Sequence, residues 1–299
     1  MELRQLRQAL VLAETLNFHR AAEQLNMTQP PLSTSIKKLE DELGVLLFER
    51  LPSGLRLTTA GEAVLRNARS ALFFAEQMRR AAGEGEAGER GQLRLGFVST
   101  AAYGLLPRIL RSFRERYPQV ELLLEEGVGG DLLRRLDDHE LDVALVRYPL
   151  VQDCTAQITM LQREHLVLAV RHDSPLAARP SVDLAELANE AFIISSQQRS
   201  PSMHALMLQA FEEAGICPRI VQQAAQISTV LGLVESGIGV AMIPASASGY
   251  VGPQIRTVAL SSQADRLVSG IALAMRADTH SATARNFRDY AVRVTSADT

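Results

Sequence analysis

The sequence predicts an α/β protein in which a small helical domain precedes a larger domain of alternating strands and helices. In residues 1–45, apolar residues recur every three or four positions, which is typical of short amphipathic helices. Residues 59–82 continue this spacing as one long helix. From Gln92 onward, strand-like runs alternate with helical runs, and this alternation indicates a mainly parallel sheet covered by helices.

Residues 18–44 predict two short helices joined by a tight turn. The second helix has an apolar stripe formed by Leu32, Ile36, Leu39 and Leu43. Its opposite face is polar and cationic, and carries Pro30, Thr34, Lys37 and Lys38. We therefore expect the stripe to be buried and the opposite face to contact a partner.

The start of this second helix is suited to bind a nucleic acid. Thr28 is expected to cap the helix, so that Pro30 and Pro31 occupy the first turn, where a missing N–H donor costs little. The remaining free N–H groups suit a phosphate oxygen. Three short polar side chains can reach base edges in a major groove, namely Gln29, Ser33 and Thr34. The alternative is a solvent-exposed amphipathic helix that happens to be basic.

Residues 47–57 predict a β-hairpin after the helices. Leu47–Arg50 and Leu55–Leu57 have the pattern of strands, and the turn between them contains Pro and Gly. Such a wing would place Arg50, Ser53 and Arg56 beside the DNA backbone or the minor groove. The alternative is an ordinary surface hairpin.

These residues carry a resemblance to a known family. The segment AAEQLNMTQPPLSTSIKKLEDELGVLLFER and the following LTTAGE are similar to the amino-terminal domain of LysR-type transcriptional regulators, and the resemblance extends over essentially the whole chain. It implies that residues 1–58 form a winged helix-turn-helix domain whose second helix enters the major groove. The implied DNA contacts are Thr28, Gln29, Pro30, Pro31, Ser33, Thr34 and Lys37, with Arg50 and Ser53 from the wing. Many relatives have an arginine in place of Thr34.

Residues 59–90 predict a long helix followed by a hinge. Thr59 and Glu62 have the spacing of a capping box, and the helix is expected to continue to about Ala82. A heptad spacing rich in alanine is formed by Val64, Ala68, Ala71, Ala75, Met78 and Ala82. The resemblance implies that this helix pairs with a second copy, and the alternative is packing on its own domain. Glycines and charged residues in 83–91 indicate the hinge.

Residues 91–299 predict strands from Leu93–Val98 to Ile271–Met275, with helices between and after them. The resemblance implies the two-lobed fold of periplasmic solute-binding proteins and an effector-binding role. Lobe I would comprise about 91–162 and 269–299, and lobe II about 163–268. The chain would cross between lobes near Leu161–His165 and return near Leu267–Ile271, and the cleft between the lobes would bind the effector.

Hydroxyl groups near helix starts indicate which residues line this cleft. Ser99 and Thr100 follow the first strand and are expected to begin a helix, so their hydroxyl and N–H groups can bind a carboxylate. Ser228 and Thr229 can do the same in lobe II. The resemblance adds Pro201, Ser202 and Met203, Arg147 as counter-charge, and Val128, where some relatives that sense aromatic acids have a threonine. The alternatives are serines that only cap helices and a surface salt bridge at Arg147.

Composition favours a soluble chain that stays in the cytoplasm. Of 299 residues 46% are apolar, yet no apolar run approaches the roughly 18 residues of a membrane span, and no signal-peptide pattern begins the chain. The net charge of −3 divides into +2 for residues 1–80 and −5 for the remainder. Cys154, Cys217 and the histidines lack metal-ligand spacing, so we expect no metal or other cofactor.

Enzyme motifs are absent or coincidental. Ser35-Ile-Lys-Lys38 satisfies Ser-x-x-Lys but lies in the predicted DNA-contacting helix, and Gly237-Ile-Gly239 lacks the third glycine of a dinucleotide fingerprint. We therefore expect a regulator and not an enzyme. It would bind an interrupted dyad operator in double-stranded DNA as a homodimer or dimer of dimers, respond to a small organic or aromatic acid, and act on RNA polymerase. The alternative is a solute-binding or transport-associated protein with an amino-terminal adaptor.

Overall fold

The structure is a computed structural model that describes residues 1–52, 54–81, 88–261 and 269–296. The chain divides into two compact units: the first contains the described residues 1–81, and the second contains nearly all of the chain after residue 88. Each unit has its own hydrophobic core. Within the described ranges, no helix is long and apolar enough to cross a membrane.

The described part of the first unit contains helices and one antiparallel hairpin. Its elements are α1 (Leu3–Thr15), α2 (Phe18–Gln24), α3 (Gln29–Leu43), β1 (Phe48–Leu51), β2 (Gly54–Leu57) and α4 (Thr59–Ala81). The apolar stripe predicted for α3 is confirmed, because Leu32, Ile36 and Leu39 are at most 2% exposed. They share one core with Leu12 of α1 and Leu65 of α4. Burial of this stripe fixes which face of α3 remains in solvent.

The ends of α2 and α3 are set by side-chain capping and by a glycine. The Asn17 side chain accepts hydrogen bonds from the N–H groups of His19 and Arg20, and so caps α2. Thr28 occupies the N-cap of α3 as predicted, but its side chain makes no capping hydrogen bond. Gly44 ends α3 with φ of +69°, a left-handed conformation that favours glycine.

Helix α4 begins at Thr59 as predicted, but its cap is the preceding residue. The Thr58 hydroxyl accepts a hydrogen bond from the Gly61 N–H at 2.9 Å. The predicted capping box of Thr59 and Glu62 is therefore wrong. Thr59 is already in the helix, and the capping residue is Thr58, one position earlier.

The residues of the alanine-rich spacing in α4 divide into a buried group and an exposed group. Val64 and Ala68 pack into the core of the first unit. This agrees with the alternative prediction, in which the helix packs on its own domain. Further along, Ala71 is exposed and Met78 is 71% exposed. Ala82 and residues 83–87 of the predicted hinge lie outside the described residues.

The second unit continues the alternation of strands and helices. Its strands are β3 (Arg90–Phe97), β4 (Gln119–Glu126), β5 (Val143–Tyr148), β6 (Gln157–Glu164), β7 (Leu166–Arg171), β8 (Ser181–Asp183), β9 (Ala191–Ser195), β10 (Arg219–Ala224), β11 (Ala241–Pro244), β12 (Ile255–Ser261) and β13 (Ser269–Met275). Its α-helices are α5 (Leu105–Arg116), α6 (Gly129–Asp137), α7 (Pro201–Glu213), α8 (Ile227–Glu235) and α9 (Ala282–Ser296). Short 3₁₀ turns occur at Ser99–Ala102, Pro175–Ala178, Leu184–Leu187 and Ala245–Tyr250.

These strands form one sheet in a first lobe, and a second sheet with a separate strand pair in a second lobe. The sheet of lobe I has the order β4-β3-β5-β13-β6. Lobe II contains a sheet of order β11-β7-β12-β8 and the parallel pair β9 and β10. The prediction of a mainly parallel sheet is wrong: β13 runs antiparallel to β5 and β6, and β7 runs antiparallel to β11 and β12. These antiparallel strands, β7 and β13, lie where the chain leaves lobe I and where it returns to it.

Strands β6, β8 and β12 match none of the strand-like runs that the sequence predicts, which are Leu93–Val98, Val120–Leu124, Leu141–Val146, His165–Val170, Phe192–Ile194, Arg219–Val221, Val240–Ile243 and Ile271–Met275. Strand β8 has only three residues, and β6 and β12 mix buried with half-buried or exposed positions, so none shows a continuous apolar run. In β6 and β12, pairing with buried neighbours in the sheet determines the strand more than the local sequence does.

The two segments that connect the lobes run side by side. Glu164 ends β6 just before β7 begins, and it pairs in register with Ser269 at the start of β13. Residues 262–268, which include the predicted return at Leu267, lie outside the described residues. Next to Ser269, a Cβ atom on Gly270 would overlap the main-chain oxygen of Gln162. The close approach of β6 and β13 therefore requires glycine at position 270.

Gly270→Ala is expected to lower the free energy of unfolding by about 1–3 kcal/mol, because the added methyl group forces two paired strands apart. Gly252→Ala is the matched control, since a Cβ atom there meets no atom of the described residues within 4 Å. Urea unfolding followed by far-UV circular dichroism measures both. Equal midpoints for the two variants would contradict the steric explanation.

Candidate nucleic-acid interface and ligand pocket

Helix α3 presents the predicted contact residues on its solvent side. The exposed residues at its start and along its outer face are Thr28, Gln29, Pro30, Pro31, Thr34 and Lys37, and Ser33 is half-buried. Because Pro30 and Pro31 have no N–H group, Gln29 supplies the free N–H in the first three helical positions. A phosphate oxygen at this helix end would accept a hydrogen bond from that group.

The Thr34 hydroxyl already donates a hydrogen bond inside the helix. Its acceptor is the main-chain oxygen of Pro30, at 3.0 Å. Since the hydroxyl proton is used, Thr34 presents lone pairs and a methyl group to the outside. These suit an amino group of cytosine or adenine, or a thymine methyl group, better than a phosphate oxygen or the acceptor atoms of guanine.

A buried polar contact holds α3 against α1. The Ser35 hydroxyl donates to Oε1 of Gln8 at 2.5 Å, and Nε2 of Gln8 donates to the sulfur of Met27 at 3.4 Å. Gln8 is only 4% exposed. Gln8 thus connects the contact helix to the turn before it, a role that the apolar periodicity of α1 did not reveal.

The wing has a cross-strand ion pair on its surface. Arg56 of β2 lies opposite Glu49 of β1, and its Nε donates to the carboxylate at 2.7 Å. One of the arginines predicted beside the DNA is thus paired within the wing. Arg50 lies in β1 opposite Leu55, and Ser53 lies outside the described residues.

The second unit contains a cavity of about 360 Å³ bordered by both lobes. Seven of the predicted effector contacts line it, namely Ser99, Thr100, Val128, Arg147, Pro201, Ser202 and Met203. Polar residues that the sequence analysis missed also line it: Glu126, Gln152, Ser195, Arg199, Ser200 and Gln226. Apolar walls come from Val98, Leu133, Val146, Leu150, Ile227 and Val230, among others. The cavity is therefore suited to a small molecule with both apolar and polar parts.

Several helix starts meet at this cavity. Gly129 and Gly130 begin α6, Pro201 and Ser202 begin α7, and Ile227 begins α8, and all of them line it. The 3₁₀ turn at Ser99–Ala102 adds its first residues, which corrects the prediction that Ser99 begins a regular helix; α5 begins only at Leu105. Free N–H groups and positive helix ends favour an anion in this cavity.

Arg147 lies in the wall of the cavity and belongs to a buried ion pair. Its Nη1 donates to Glu164 at 2.5 Å and to the Ser269 hydroxyl at 3.3 Å, and the Arg147 and Glu164 side chains are 7% and 4% exposed. The other Glu164 oxygen accepts from the Ser246 N–H of lobe II at 3.2 Å. This pair is buried, unlike the surface salt bridge that was the alternative, and it lies where the chain crosses between lobes.

One nitrogen of Arg147 is not paired within the part of the chain that the structure describes. Its Nη2 is buried and has no hydrogen-bond partner among those residues. Burial lowers the pKa of the Arg147 guanidinium from its usual range, and the neighbouring Glu164 carboxylate opposes that effect. A buried donor without a partner is unfavourable, so an anion bound beside Nη2 would be stabilised.

Ser228 and Thr229 do not line the cavity. Helix α8 begins at Ile227 and not at Thr229, so Ser228 and Thr229 are the second and third residues of the helix. Both are exposed to solvent. Gln226, the N-cap residue, and Ile227 occupy the lining instead. The signal that could have identified Gln226 is its position directly before the apolar run of α8.

Together, these features define a class of protein. One chain contains a winged helix-turn-helix with an exposed polar contact helix and a two-lobed unit whose cavity suits a small anion. This combination is that of a DNA-binding transcriptional regulator with an effector-binding domain.

Comparison with known proteins identifies the family. Residues 3–62 match the model described as bacterial regulatory helix-turn-helix protein, lysR family, and residues 86–296 match the LysR substrate binding domain. The chain therefore belongs to the LysR family of transcriptional regulators. The alternative of a solute-binding protein with an adaptor is wrong, because both parts of the chain match this family.

Relatives and solved structures cover nearly the whole chain. The regulator AlsR of Bacillus subtilis is 38% identical over 83% of this chain and 82% of its own length. BudR of Raoultella terrigena is 32% identical over 96% of this chain and 99% of its own. Full-length CbnR in complex with its target DNA has a TM-score of 0.77 at 27% identity, over 98% of this chain and 100% of CbnR.

Glu164→Gln is expected to lower the free energy of unfolding by about 3–5 kcal/mol, because it leaves the buried Arg147 charge without its counter-ion. Adding Arg147→Met should restore most of that stability. Glu186→Gln serves as the control, since the Arg179–Glu186 pair is exposed and should barely change the unfolding midpoint. Thermal unfolding measures all variants. Similar midpoints for Glu164→Gln and Glu186→Gln would contradict a role for burial.

Proposed function

We propose that this LysR-type regulator acts in the cytoplasm and changes transcription when a small organic or aromatic acid binds its two-lobed cavity. The observation that carries the proposal is that Arg147, whose Nη2 has no hydrogen-bond partner among the described residues, lines a cavity where several helices begin. Both features favour an anion, and the apolar walls favour a carbon skeleton beside the charged group.

The effector contacts that we propose are those lining the cavity. In lobe I they are Ser99, Thr100, Val128 and Arg147, and in lobe II they are Pro201, Ser202 and Met203, joined by Gln226. A ligand that touches both lobes binds the closed arrangement better than an open one, and so shifts the population toward closure. Ser228 and Thr229 are left out of this set because both are exposed outside the cavity lining.

The DNA contacts that we propose remain those of the α3 start and the wing. They are Thr28, Gln29, Pro30, Pro31, Ser33, Thr34 and Lys37 in the major groove, with Arg50 and Ser53 at the adjacent backbone or minor groove. Exposure of the α3 residues supports this assignment. In each contact helix Lys37 and Lys38 add two positive charges, so affinity needs a second DNA-binding head.

We propose that the second head comes from a homodimer or dimer of dimers on an interrupted dyad operator. On α4, Phe74 is 47% exposed and Met78 is 71% exposed, and both are large apolar side chains that a partner helix would cover. Closure of the lobes would then change the spacing of the heads or the bend of the DNA, and with it the recruitment of RNA polymerase.

Thermal-shift screening against mono- and dicarboxylic acids, aliphatic and aromatic, tests the effector proposal. An acid at 100 times its Kd is expected to stabilise the protein by about 2.7 kcal/mol. Ser99→Ala should weaken binding of that acid about 10- to 100-fold, because the variant cannot donate a hydrogen bond to the charged group. Ser228→Ala, outside the cavity, is the control. Equal effects of the two variants, or no shift with any acid, would count against the proposal.

We assign Lys37 to a phosphate at the edge of the major groove. Lys37→Ala is therefore expected to weaken DNA binding and to reduce the slope of log Kobs against log salt by about 1 per bound head. Arg219→Ala removes an exposed positive charge of β10 and is the charge control. Fluorescence anisotropy on a duplex selected from a random library by the unaltered protein measures both. An unchanged slope for Lys37→Ala would remove Lys37 from the contacts.

A further inference from the structure

A carboxylate of the contact helix holds the strand that begins the wing. The Oε1 atom of Glu40 accepts hydrogen bonds from the N–H groups of Leu47 and Phe48, at 2.7 and 3.0 Å. The main-chain oxygen of Glu40 also accepts from Gly44 and Val45, where α3 ends. One residue thus ends α3 and fixes the place where β1 begins.

The start of α4 holds the same peptide segment from the other side. The Thr58 N–H donates to the Leu47 carbonyl oxygen at 3.0 Å, and the Thr58 hydroxyl donates to that of Leu46 at 2.7 Å. A Cβ atom on Gly61 would overlap the Leu47 oxygen. Leu47 itself is fully buried. Helix α3, the wing and helix α4 are therefore joined at one residue.

The position of the wing turn depends on this junction. Phe48 is buried, whereas Leu51 and Pro52 near the turn are exposed. The strand advances about 10 Å from Phe48 to Leu51, so a rotation of about 10° at the junction would move Leu51 by about 2 Å. A displacement of that size breaks a hydrogen bond to a phosphate oxygen.

The charge of Glu40 by itself would weaken DNA binding, so the presence of a carboxylate here needs another explanation. A carboxylate near a DNA-binding surface repels phosphate, so electrostatics alone would disfavour it at this end of α3. The two N–H groups that donate to its Oε1 explain why a side-chain oxygen of this reach is useful at this position.

We propose that Glu40 is a positioning residue for DNA recognition, which sets the wing beside α3 so that both contact DNA together. It acts through the strand and not by touching DNA. The inference rests on the proposed wing contacts with DNA.

Charge and geometry can be separated with three variants. Glu40→Asp keeps the charge but is one methylene too short to reach both N–H groups. Glu40→Gln keeps the length and an oxygen acceptor but removes the charge. Asp41→Asn removes the charge of the exposed neighbouring residue and is the control for Glu40→Gln.

Hydroxyl-radical footprinting and salt titration of the full chain, on the selected duplex, provide the readout. Glu40→Asp is expected to lose the protections that flank the major-groove site while keeping the central ones. Its salt slope should fall by about 0.9 for each phosphate that the wing no longer neutralises. Glu40→Gln should retain the footprint of the unaltered protein, and its slope should match that of Asp41→Asn.

Two results would overturn the proposal. One is an unaltered footprint and slope for Glu40→Asp. The other is a footprint change in Glu40→Gln that is absent from Glu40→Asp, since charge and not position would then be responsible. If the unaltered protein leaves no flanking protections at all, the proposed wing contact fails instead.

If circular dichroism shows that Glu40→Asp does not fold, Thr58→Val tests the same junction, with Thr58→Ser as the rescue variant. Unchanged flanking protections in Thr58→Val would refute the role of the junction.

Discussion

Helix starts, whose first residues have no hydrogen-bond partner within the helix, are the physical constraint shared by the two regions that we propose to bind ligands. The first residues of a helix cannot bond to the preceding turn, so they require a cap, water or a ligand. At α3 the Thr28 side chain provides no cap and the helix start is exposed. In the second unit, α6, α7 and α8 all begin at one cavity. The same backbone property therefore suits one unit to phosphate and the other to a small anion.

Polar contacts inside the protein fix the elements that carry these regions relative to their neighbours. Gln8 connects α3 to α1, and Glu40 connects α3 to the wing. Glu164, which pairs with Arg147 in lobe I, also accepts a hydrogen bond from the Ser246 N–H of lobe II. Hydrophobic burial is non-directional and would tolerate small rotations of each element. Hydrogen bonds and ion pairs have defined lengths and angles, so they select one arrangement among those that bury similar apolar area. In each case the polar group lies beside a surface that we propose to bind DNA or the effector.

Prediction from sequence worked where a pattern is local. The stripe of Leu32, Ile36 and Leu39 follows from helical periodicity, and burial of one face places Lys37 on the other. It failed at element ends. A shift of two residues in the start of α8 moved Ser228 and Thr229 out of the cavity, because each helical position turns a side chain by about 100°. The strand β8 was missed because three residues are too few to show a period.

Sequence patterns alone predict the two kinds of unit, the face of α3 that meets solvent, and the family to which the chain is similar. Each of these depends on residues close together in the chain, whose spacing fixes their common face. Folding is needed to pair Arg147 with Glu164 and Ser269, which are 17 and 122 residues away, and to place Gln226 in the cavity lining. Such contacts depend on how sheets and crossovers pack, and no local spacing encodes the distance between residues brought together by folding.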